Sequence, residues 1–203
     1  MNTRVPGRLA LALALCALLS SACGGSSSSP TGSTGSGSGG SGACGGVAVG
    51  PLGCTRGMMT GTIAGVTFNG GVPIGGATYT PVAAVPALGL PALDFIVIQG
   101  TSADLTSLTI TARAKVGTAS LGAGVIDPET RQPTSNNASL ATRANGAATG
   151  QWNTNITGGT GTVTITTVST TAATGSYSFT MVPQAGSGAT GNRVVDGTFT
   201  VTF

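Results

Sequence analysis

The sequence predicts an all-β fold, arranged either as an antiparallel β-sandwich or as a small β-barrel. Three observations support this prediction. First, Thr, Val and Ile are concentrated in short segments separated by Gly, Pro and Asn, a pattern typical of strands joined by turns. Second, several segments alternate apolar and polar residues with the period of two expected of a half-buried strand. Third, no segment has the 3.6-residue apolar periodicity of an amphipathic helix.

The clearest strands lie in the C-terminal third, at 161–168, 175–182 and 194–203. In the last of them, Phe199, Val201 and Phe203 alternate with threonines. Such alternation directs the apolar side chains towards the core and the Thr and Ser side chains towards solvent. Because the three segments follow one another along the chain, we expect them to form an antiparallel three-strand meander.

Shorter segments predict six further strands, at 60–69, 77–84, 93–99, 107–114, 118–125 and 138–143. The first of these would end at the turn signal Asn69-Gly70-Gly71. The strand at 93–99 is the most apolar, and we expect it to be covered on both faces. Four glycines precede alternating runs and are interpreted as residues at turn exits, namely Gly61, Gly161, Gly175 and Gly197.

The N-terminus has the features of an export signal at residues 1–22. Arg4 and Arg8 form a short positive region, and an uncharged apolar run of eleven residues follows at 9–19. As a helix this run would rise about 16 Å, too little for a hydrocarbon core of roughly 30 Å. We therefore interpret it as the apolar part of a signal peptide rather than as a membrane span.

The end of this signal, Leu19-Ser20-Ser21-Ala22-Cys23-Gly24, resembles the lipobox of bacterial lipoproteins. The family usually has Leu three positions before the Cys, whereas this chain has Ser20 there and Leu19 one position earlier. The resemblance implies cleavage before Cys23 and two or three acyl chains on that residue, which make membrane anchoring lasting. The alternative is an ordinary signal peptide with Cys23 unmodified. In Gram-negative lipoproteins Asp after the Cys retains the protein at the inner membrane, so Gly24 implies the outer membrane.

The C-terminal patterns carry a second resemblance. Gly161-x-Val-x-Ile-Thr, Gly175-x-Tyr-x-Phe-Thr and Gly197-x-Phe-x-Val are similar to the end of a group of uncharacterised bacterial lipoproteins with all-β domains. This similarity implies an all-β fold and a location in the cell envelope. It implies no activity and assigns no functional residue.

Four parts are therefore predicted along the chain. They are a signal peptide at 1–22, a lipid-anchored flexible linker at 23–43, a disulfide-closed collar at 44–58 and an all-β domain at 59–203. The linker consists mostly of Gly, Ser and Thr. About twenty such residues have a root-mean-square reach of roughly 25 Å, so the linker is expected to act as a tether.

The predicted parts account for the four cysteines. Cys16 is lost with the signal and Cys23 takes lipid, which leaves Cys44 and Cys54. A disulfide between these two is the simplest arrangement in an oxidising compartment, and closing the loop would contribute about 3 kcal/mol. Two free thiols are one alternative. A metal pair is another, although the chain has no histidine to complete a tetrahedral site.

Charge and composition exclude several function classes. Charged residues are 6% of the chain, and without the signal six basic and five acidic residues leave a net charge of +1. Nucleic-acid binding needs several cations on phosphates, so we expect none here. The chain has no histidine, the commonest general base and a common metal ligand. We therefore expect no enzymatic activity, no cofactor and no metal.

Three places have side chains that could carry chemistry. Lys115 could activate a serine nucleophile, but it is expected to be a solvated charge at a strand end. Asp127 and Glu129 are the only close carboxylate pair in the sequence. We expect them in a solvated turn, with a calcium-stabilised loop as the alternative. Trp152 could stack on a glycan in the manner of sugar-binding surfaces, or it could cap one end of the β core.

The sequence thus predicts a non-enzymatic, lipid-anchored cell-envelope protein that acts by binding or as a structural part of the envelope. One alternative is a binding module, with a small apolar ligand inside a lipocalin-like barrel or a glycan at Trp152. A second alternative is an outer-membrane β-barrel, suggested by the alternating last strand that ends at Phe203. The sequence does not indicate an oligomeric state.

Overall fold

The computed structural model describes residues 48–50, 53–89 and 91–203. The predicted signal peptide and linker lie outside the described residues, as do Cys23 and Cys44. The described part is all-β, which confirms the predicted fold class. The helical structure within it is a single 3₁₀ turn at Pro86–Leu88.

In the described residues, twelve strands form one antiparallel sheet. They are β1 (Ala48–Gly50), β2 (Gly53–Ile63), β3 (Val66–Pro73), β4 (Ala77–Val82), β5 (Leu93–Thr101), β6 (Ser107–Arg113), β7 (Gly117–Gly122), β8 (Asn137–Ala144), β9 (Ala147–Asn153), β10 (Thr160–Val168), β11 (Ala172–Pro183) and β12 (Arg193–Thr202). Hydrogen bonding closes a ring of eight of them, from β2 through β3, β5, β6, β8, β9, β11 and β12 back to β2. The predicted meander is confirmed as β10, β11 and β12.

Two junctions of the ring are short. The first joins β3 to β5 through the pair Gly71 and Thr101, and the second joins β9 to β11 through two pairs of residues. A further strand lies beside each junction, since β4 pairs with β5 and β10 pairs with β11. One antiparallel sheet that closes on itself in this way is consistent with both predicted forms, the sandwich and the barrel.

The interior of the ring is filled by the apolar side chains that alternate along the strands. The largest fully buried ones include Phe199, Met59, Ile96, Ile98, Leu108, Ile110, Leu121, Leu140, Ile165 and Met181. Burying a side chain of this size contributes about 1.5–3 kcal/mol relative to leaving it exposed. The alternate residues are mostly Thr and Ser on the outer face, where Thr60 and Thr198 approach within 3.2 Å between their hydroxyl oxygens. The predicted alternation of inward and outward residues is thus confirmed in the meander.

Aromatic rings of the core cover glycines on neighbouring strands. Phe199 of β12 lies opposite Gly175 of β11, and Tyr177 of β11 lies opposite Gly197 of β12. A Cβ on Gly175 would be 2.6 Å from Cζ of Phe199, and one on Gly197 would be 2.7 Å from Cζ of Tyr177. The interpretation of these glycines as turn-exit residues is therefore wrong. They lie inside strands, where the absence of a side chain makes room for a ring.

The first hairpin differs from its prediction. β2 ends at Ile63 and β3 begins at Val66, whereas the sequence predicts one strand at 60–69. Ala64 and Gly65 form the two-residue turn between them, with φ of 50° and 81°. Alanine is a weak signal for such a turn, because residues with a Cβ adopt positive φ at a steric cost.

Two further glycines lie inside strands whose residues the sequence did not predict correctly. The predicted turn at Asn69-Gly70-Gly71 lies inside β3, because a Cβ on Gly70 would sit 2.5 Å from Cζ of Phe68. β9 is not predicted, although it ends in the Trp152 segment. Its Gly150 faces the Trp152 ring, where a Cβ would lie 2.6 Å from Cη2. In both strands the glycine interrupts the apolar alternation on which the prediction depends.

The predicted boundary between collar and domain falls inside β2. The collar is predicted at 44–58, yet β2 runs from Gly53 to Ile63, and β1 pairs with its first residues. The inward positions here include Thr55, which is buried, and Gly57. Neither residue is apolar, so the sequence has no alternation to mark this part of the strand.

Strand β5 is covered well on one face only. Ile96 and Ile98 are buried, whereas Phe95 and Val97 on the other face are half-buried. The guanidinium carbon of Arg113 lies 5.9 Å from the Phe95 ring centroid and gives part of the cover. The prediction of cover on both faces is wrong, because a single long side chain shields less area than a packed layer would.

Candidate ligand-binding cleft

A cleft of about 670 Å³ opens at one end of the ring. Neighbouring strands of the ring are antiparallel, so the connections that follow β2, β5, β8 and β11 all lie at this same end. The cleft is lined by the β2–β3 turn, the β5–β6 turn, part of β8 and the start of β12. Because apolar side chains fill the ring below, the cleft is a mouth at the end of the fold.

The floor of the cleft is apolar. Phe68 and Leu140 lie in it and are 3% and 1% exposed. Ile63 is half-buried in the wall, and Val66 on the rim is 70% exposed. Ala103, in the β5–β6 turn, faces the cleft from the other side and is exposed. A ligand that covers this surface would remove apolar area from water, at about 25 cal/mol per Å².

Of the cations in the described part of the chain, Arg193 lines this mouth. Arg193, the first residue of β12, is half-buried, and its guanidinium carbon lies 4.9 Å from the centroid of the Trp152 ring. The indole is itself fixed, because its Nε1–H donates to the backbone oxygen of Gly191 at 2.8 Å. A cation over an aromatic face is held by about 0.5–2 kcal/mol. The position of the Arg193 head group is therefore set by the core of the protein.

Within the described part of the chain, Arg193 forms no ion pair, since the ion pairs there are made by Arg113 and Lys115. Its side chain also donates no hydrogen bond to an acceptor in residues 48–50, 53–89 and 91–203. Arg131 and Arg143, in contrast, are exposed and do not line this cleft. Arg193 thus combines partial burial, an apolar neighbourhood and unused N–H donors.

The carboxylate of Asp104, which lines the cleft, is hydrogen-bonded within the β5–β6 turn. Asp104 accepts hydrogen bonds from the Ser102 hydroxyl, from the Thr106 backbone N–H at 3.2 Å and from the Thr106 hydroxyl at 3.1 Å. The bond from Ser102 is the main cause that lowers the pKa of Asp104, and the bonds from Thr106 add to it against the loss of hydration. The charged carboxylate orders the β5–β6 turn, and Leu105 at its tip has a φ of 63°.

Trp152 lies in the core, not on an exposed platform. It is 4% exposed, and Arg193 lies over its ring. Glycan stacking requires an open ring face, which this burial does not provide. The surroundings therefore match the alternative expectation, in which Trp152 caps one end of the β core.

The predicted carboxylate pair forms a charged clamp together with two cations. Arg113 Nη1 lies 2.9 Å from Asp127 Oδ2, and Arg113 Nη2 lies 3.0 Å from Glu129 Oε2. Lys115 pairs with Glu129 on the outside. The Arg113 backbone N–H also donates to Asn136 Oδ1 at 2.9 Å, at the end of the same loop. The loop is therefore tied to the end of β6, in place of the freely solvated turn and lone Lys115 that the sequence predicts.

The clamp sets the ionisation of Asp127. Loss of hydration opposes its charge, yet the backbone N–H groups of Thr130 and Glu129 and the charge of Arg113 outweigh this and lower its pKa. Two of these donors act on one oxygen, Asp127 Oδ1, at 3.0 and 2.8 Å. In the described residues no group of three or more His, Cys, Asp or Glu is placed to hold a metal ion. The arrangement is that of a structural tie between loop and strand.

The lipidation and disulfide predictions remain predictions. Cys23 and Cys44 lie outside the described residues. Cys54 is in β2, half-buried, and its register partner in β1 is Val49. Across residues 48–50, 53–89 and 91–203, no helix is both long enough and apolar enough to cross a bilayer.

Sequence reasoning missed Arg193 as a site residue. It stands between Asn192 and Val194, a context with no recognisable motif. Its role depends on Trp152, which is distant in sequence and meets it through the pairing of β9 with β11 and β11 with β12. The one available signal was compositional, since Arg193 is one of few basic residues outside the signal. Comparison with family models, with curated proteins and with solved structures finds no match for this chain.

Proposed function

We propose that this protein is a lipid-anchored component of the cell envelope whose β domain binds a small, largely apolar ligand without transforming it. The observation that carries the proposal is the open cleft of about 670 Å³ at the end of an otherwise filled ring. Clefts that hold small ligands usually measure about 300–1,000 Å³ and are mostly apolar with a few polar groups. This cleft has both properties.

The ligand occupies the mouth rather than the interior. Met59, Ile98 and Leu108 are fully buried and fill the ring, so a deep site of the lipocalin kind has no room. The apolar surface that is open to solvent in the mouth comes instead from Ile63, Val66 and Ala103, above the buried side chains of Phe68 and Leu140. A purely structural role would not need an apolar surface of this kind to be exposed.

Binding is favoured over catalysis by the polar groups of the cleft. The chain has no histidine. The carboxylate of Asp104 accepts hydrogen bonds from Ser102 and Thr106, so it is not free to act as a general base. Arg193 can orient a ligand, but a guanidinium group donates hydrogen bonds and does not act as a general acid or base.

The proposed membrane anchor is a lipid on Cys23, and the lipobox-like segment from Leu19 to Gly24 supports it. Cells that express the full chain should incorporate radiolabelled palmitate into it, and Cys23→Ala should abolish the label. Cys16→Ala, a change inside the predicted signal, is the matched control and should keep the label. Equal labelling of the wild type and Cys23→Ala would contradict the anchor.

The binding proposal has a direct test, because Trp152 is the only tryptophan of the chain and lies beside the cleft. Energy transfer from Trp152 to the neutral probe N-phenyl-1-naphthylamine should be saturable in proteoliposomes of the mature protein, with protein-free liposomes as the blank. Ala103→Phe narrows the cleft and should lower the binding affinity of the probe at least tenfold. Ala84→Phe, in an exposed loop at the other end, should have no effect. Absence of saturable transfer, or equal loss in both variants, would disprove binding in the cleft.

A further inference from the structure

We propose that the ligand is a small amphiphile whose carboxylate is bound by Arg193 while its hydrocarbon chain lies against Ile63 and Val66, above the buried side chains of Phe68 and Leu140. This inference rests on the proposed function, because it names the ligand class of the same cleft. It assigns the anionic head to one residue and the apolar body to another part of the site.

The state of Arg193 gives the first reason. The side chain is half-buried at an apolar mouth, and within the described part of the chain no carboxylate or carbonyl oxygen pairs with its guanidinium. Partly buried cations are normally paired, since removing them from water without a partner is costly. A ligand anion would supply the missing partner. The contact with Trp152 fixes the head group in advance, so little side-chain entropy is lost on binding.

Among the described residues, the carboxylate that lines the cleft is already hydrogen-bonded to other groups. Asp104 lines the same cleft, but it forms no ion pair with Arg193. Both of its oxygens accept hydrogen bonds from the β5–β6 turn, with Ser102 and Thr106 on Oδ1 and the Thr106 hydroxyl on Oδ2. The turn therefore holds the carboxylate away from the cation and leaves Arg193 to an incoming anion.

The charges of the cleft favour a carboxylate over a phosphate. The planar guanidinium fork of Arg193 matches a carboxylate through two parallel N–H···O bonds. A phosphate monoester would bring close to two negative charges. Among the residues that the structure describes, the cleft offers a single cation, and the charge of Asp104 lies in the same mouth. A singly charged head is therefore the better complement.

The experiment compares octanoate, 1-octanol and octyl phosphate as competitors of N-phenyl-1-naphthylamine in the same proteoliposomes, with free ligand measured by dialysis. At pH 7.5 octanoate should displace the probe with at least tenfold higher affinity than octanol. Arg193→Gln should reduce this preference to less than twofold and leave octanol within about twofold of its wild-type affinity. Arg143→Gln removes the same charge from an exposed site outside the cleft and should retain the preference.

Each outcome decides between the two proposals. Equal affinity for octanoate and octanol, or a preference that survives Arg193→Gln, would overturn the carboxylate site while cleft binding stands. Stronger binding of octyl phosphate than of octanoate would overturn the carboxylate assignment in favour of a phosphate head. If the probe itself does not bind, both proposals fail.

If the circular dichroism spectrum shows that Arg193→Gln is unfolded, Arg193→Lys is used instead. This variant should lower the octanoate preference several-fold, because Lys keeps the positive charge but lacks the planar guanidinium fork.

Discussion

The ring of Phe199 lies over Gly175 on the adjacent strand and takes the space that a larger residue at that position would need. Two residues further along β11, Tyr177 covers Gly197 in the reciprocal way. The Tyr177 hydroxyl continues across Gly197 and donates to the backbone oxygen of Thr60 at 3.3 Å. The two rings thereby tie β11, β12 and β2 together in the middle of the ring.

Gly175→Ala should therefore destabilise the protein. The added methyl group would meet both the Phe199 ring and the backbone oxygen of Thr164, so it cannot be accommodated by one rotamer change. We expect a loss of about 3 kcal/mol in the free energy of unfolding, at the upper end of overpacking effects. Urea denaturation followed by Trp152 fluorescence measures it. Ser176→Ala, the exposed neighbour, should change stability by less than about 0.5 kcal/mol. A loss of similar size in both variants would contradict this role of Gly175.

Asp127→Asn should loosen the charged clamp in a pH-dependent manner. The pKa of Asp127 is lowered in the folded protein, so its ion pair contributes stability above the ordinary value of about 3.9 and loses it as pH falls further. At pH 7 we expect the variant to be less stable by about 1–2 kcal/mol, since Arg113 loses one of two carboxylates. The difference between the two proteins should shrink progressively as pH falls below that ordinary value. Thermal melts from pH 2.5 to 7 provide the measurement, and a constant difference across that range would rule out the linkage.

Ala64→Asn should stabilise the β2–β3 hairpin. Ala64 has a φ of 50°, and the chain uses the pair Asn145-Gly146, with φ of 52° and 79°, for the two-residue turn between β8 and β9. Asn adopts the left-handed region more readily than Ala, so the gain should be roughly 0.5–1 kcal/mol. Chemical denaturation would detect it. Ala84→Asn, at a position without positive φ, should give no gain, and a gain there equal to that at Ala64 would refute the turn argument.

The predicted disulfide between Cys44 and Cys54 has a mass-spectrometric test. In the mature lipidated chain, iodoacetamide should add two adducts only after reduction. Cys44→Ser with Cys54→Ser should lower the free energy of unfolding by about 3 kcal/mol, because the cross-link restricts the unfolded chain. Two adducts without prior reduction would show that the pair is not formed.

The sequence predicted strands well where alternation was uninterrupted. β10, β11 and β12 fall within three residues of their predicted bounds, because Val, Tyr, Phe and Thr alternate there without a break. Two of the failures share a physical cause. Gly70 and Gly150 occupy inward positions whose space is filled by the rings of Phe68 and Trp152, each two residues away on the same strand. The apolar alternation therefore has a gap at each glycine, although the space there is filled.

The candidate site was harder to predict for a related reason. Trp152 was identified in the sequence, but its burial and its partner Arg193 are set by the strand order β9, β11, β12. The cleft itself is made by turns whose common position follows from the closed ring, and ring closure depends on pairs such as Gly71 with Thr101 that no local pattern marks. The Asp127 clamp likewise joins a loop to Arg113 across a strand.

Strand β2 also spans the ring from one end to the other. It begins at Gly53, where β1 pairs with its first residues, and it ends at Ile63 on the wall of the cleft, so its two ends are separated by the length of eleven residues, roughly 30 Å. Buried apolar side chains fill the ring between these ends. A ligand in the cleft would therefore enter and leave through the mouth alone, and the end of the ring that carries β1 would take no part in its exchange.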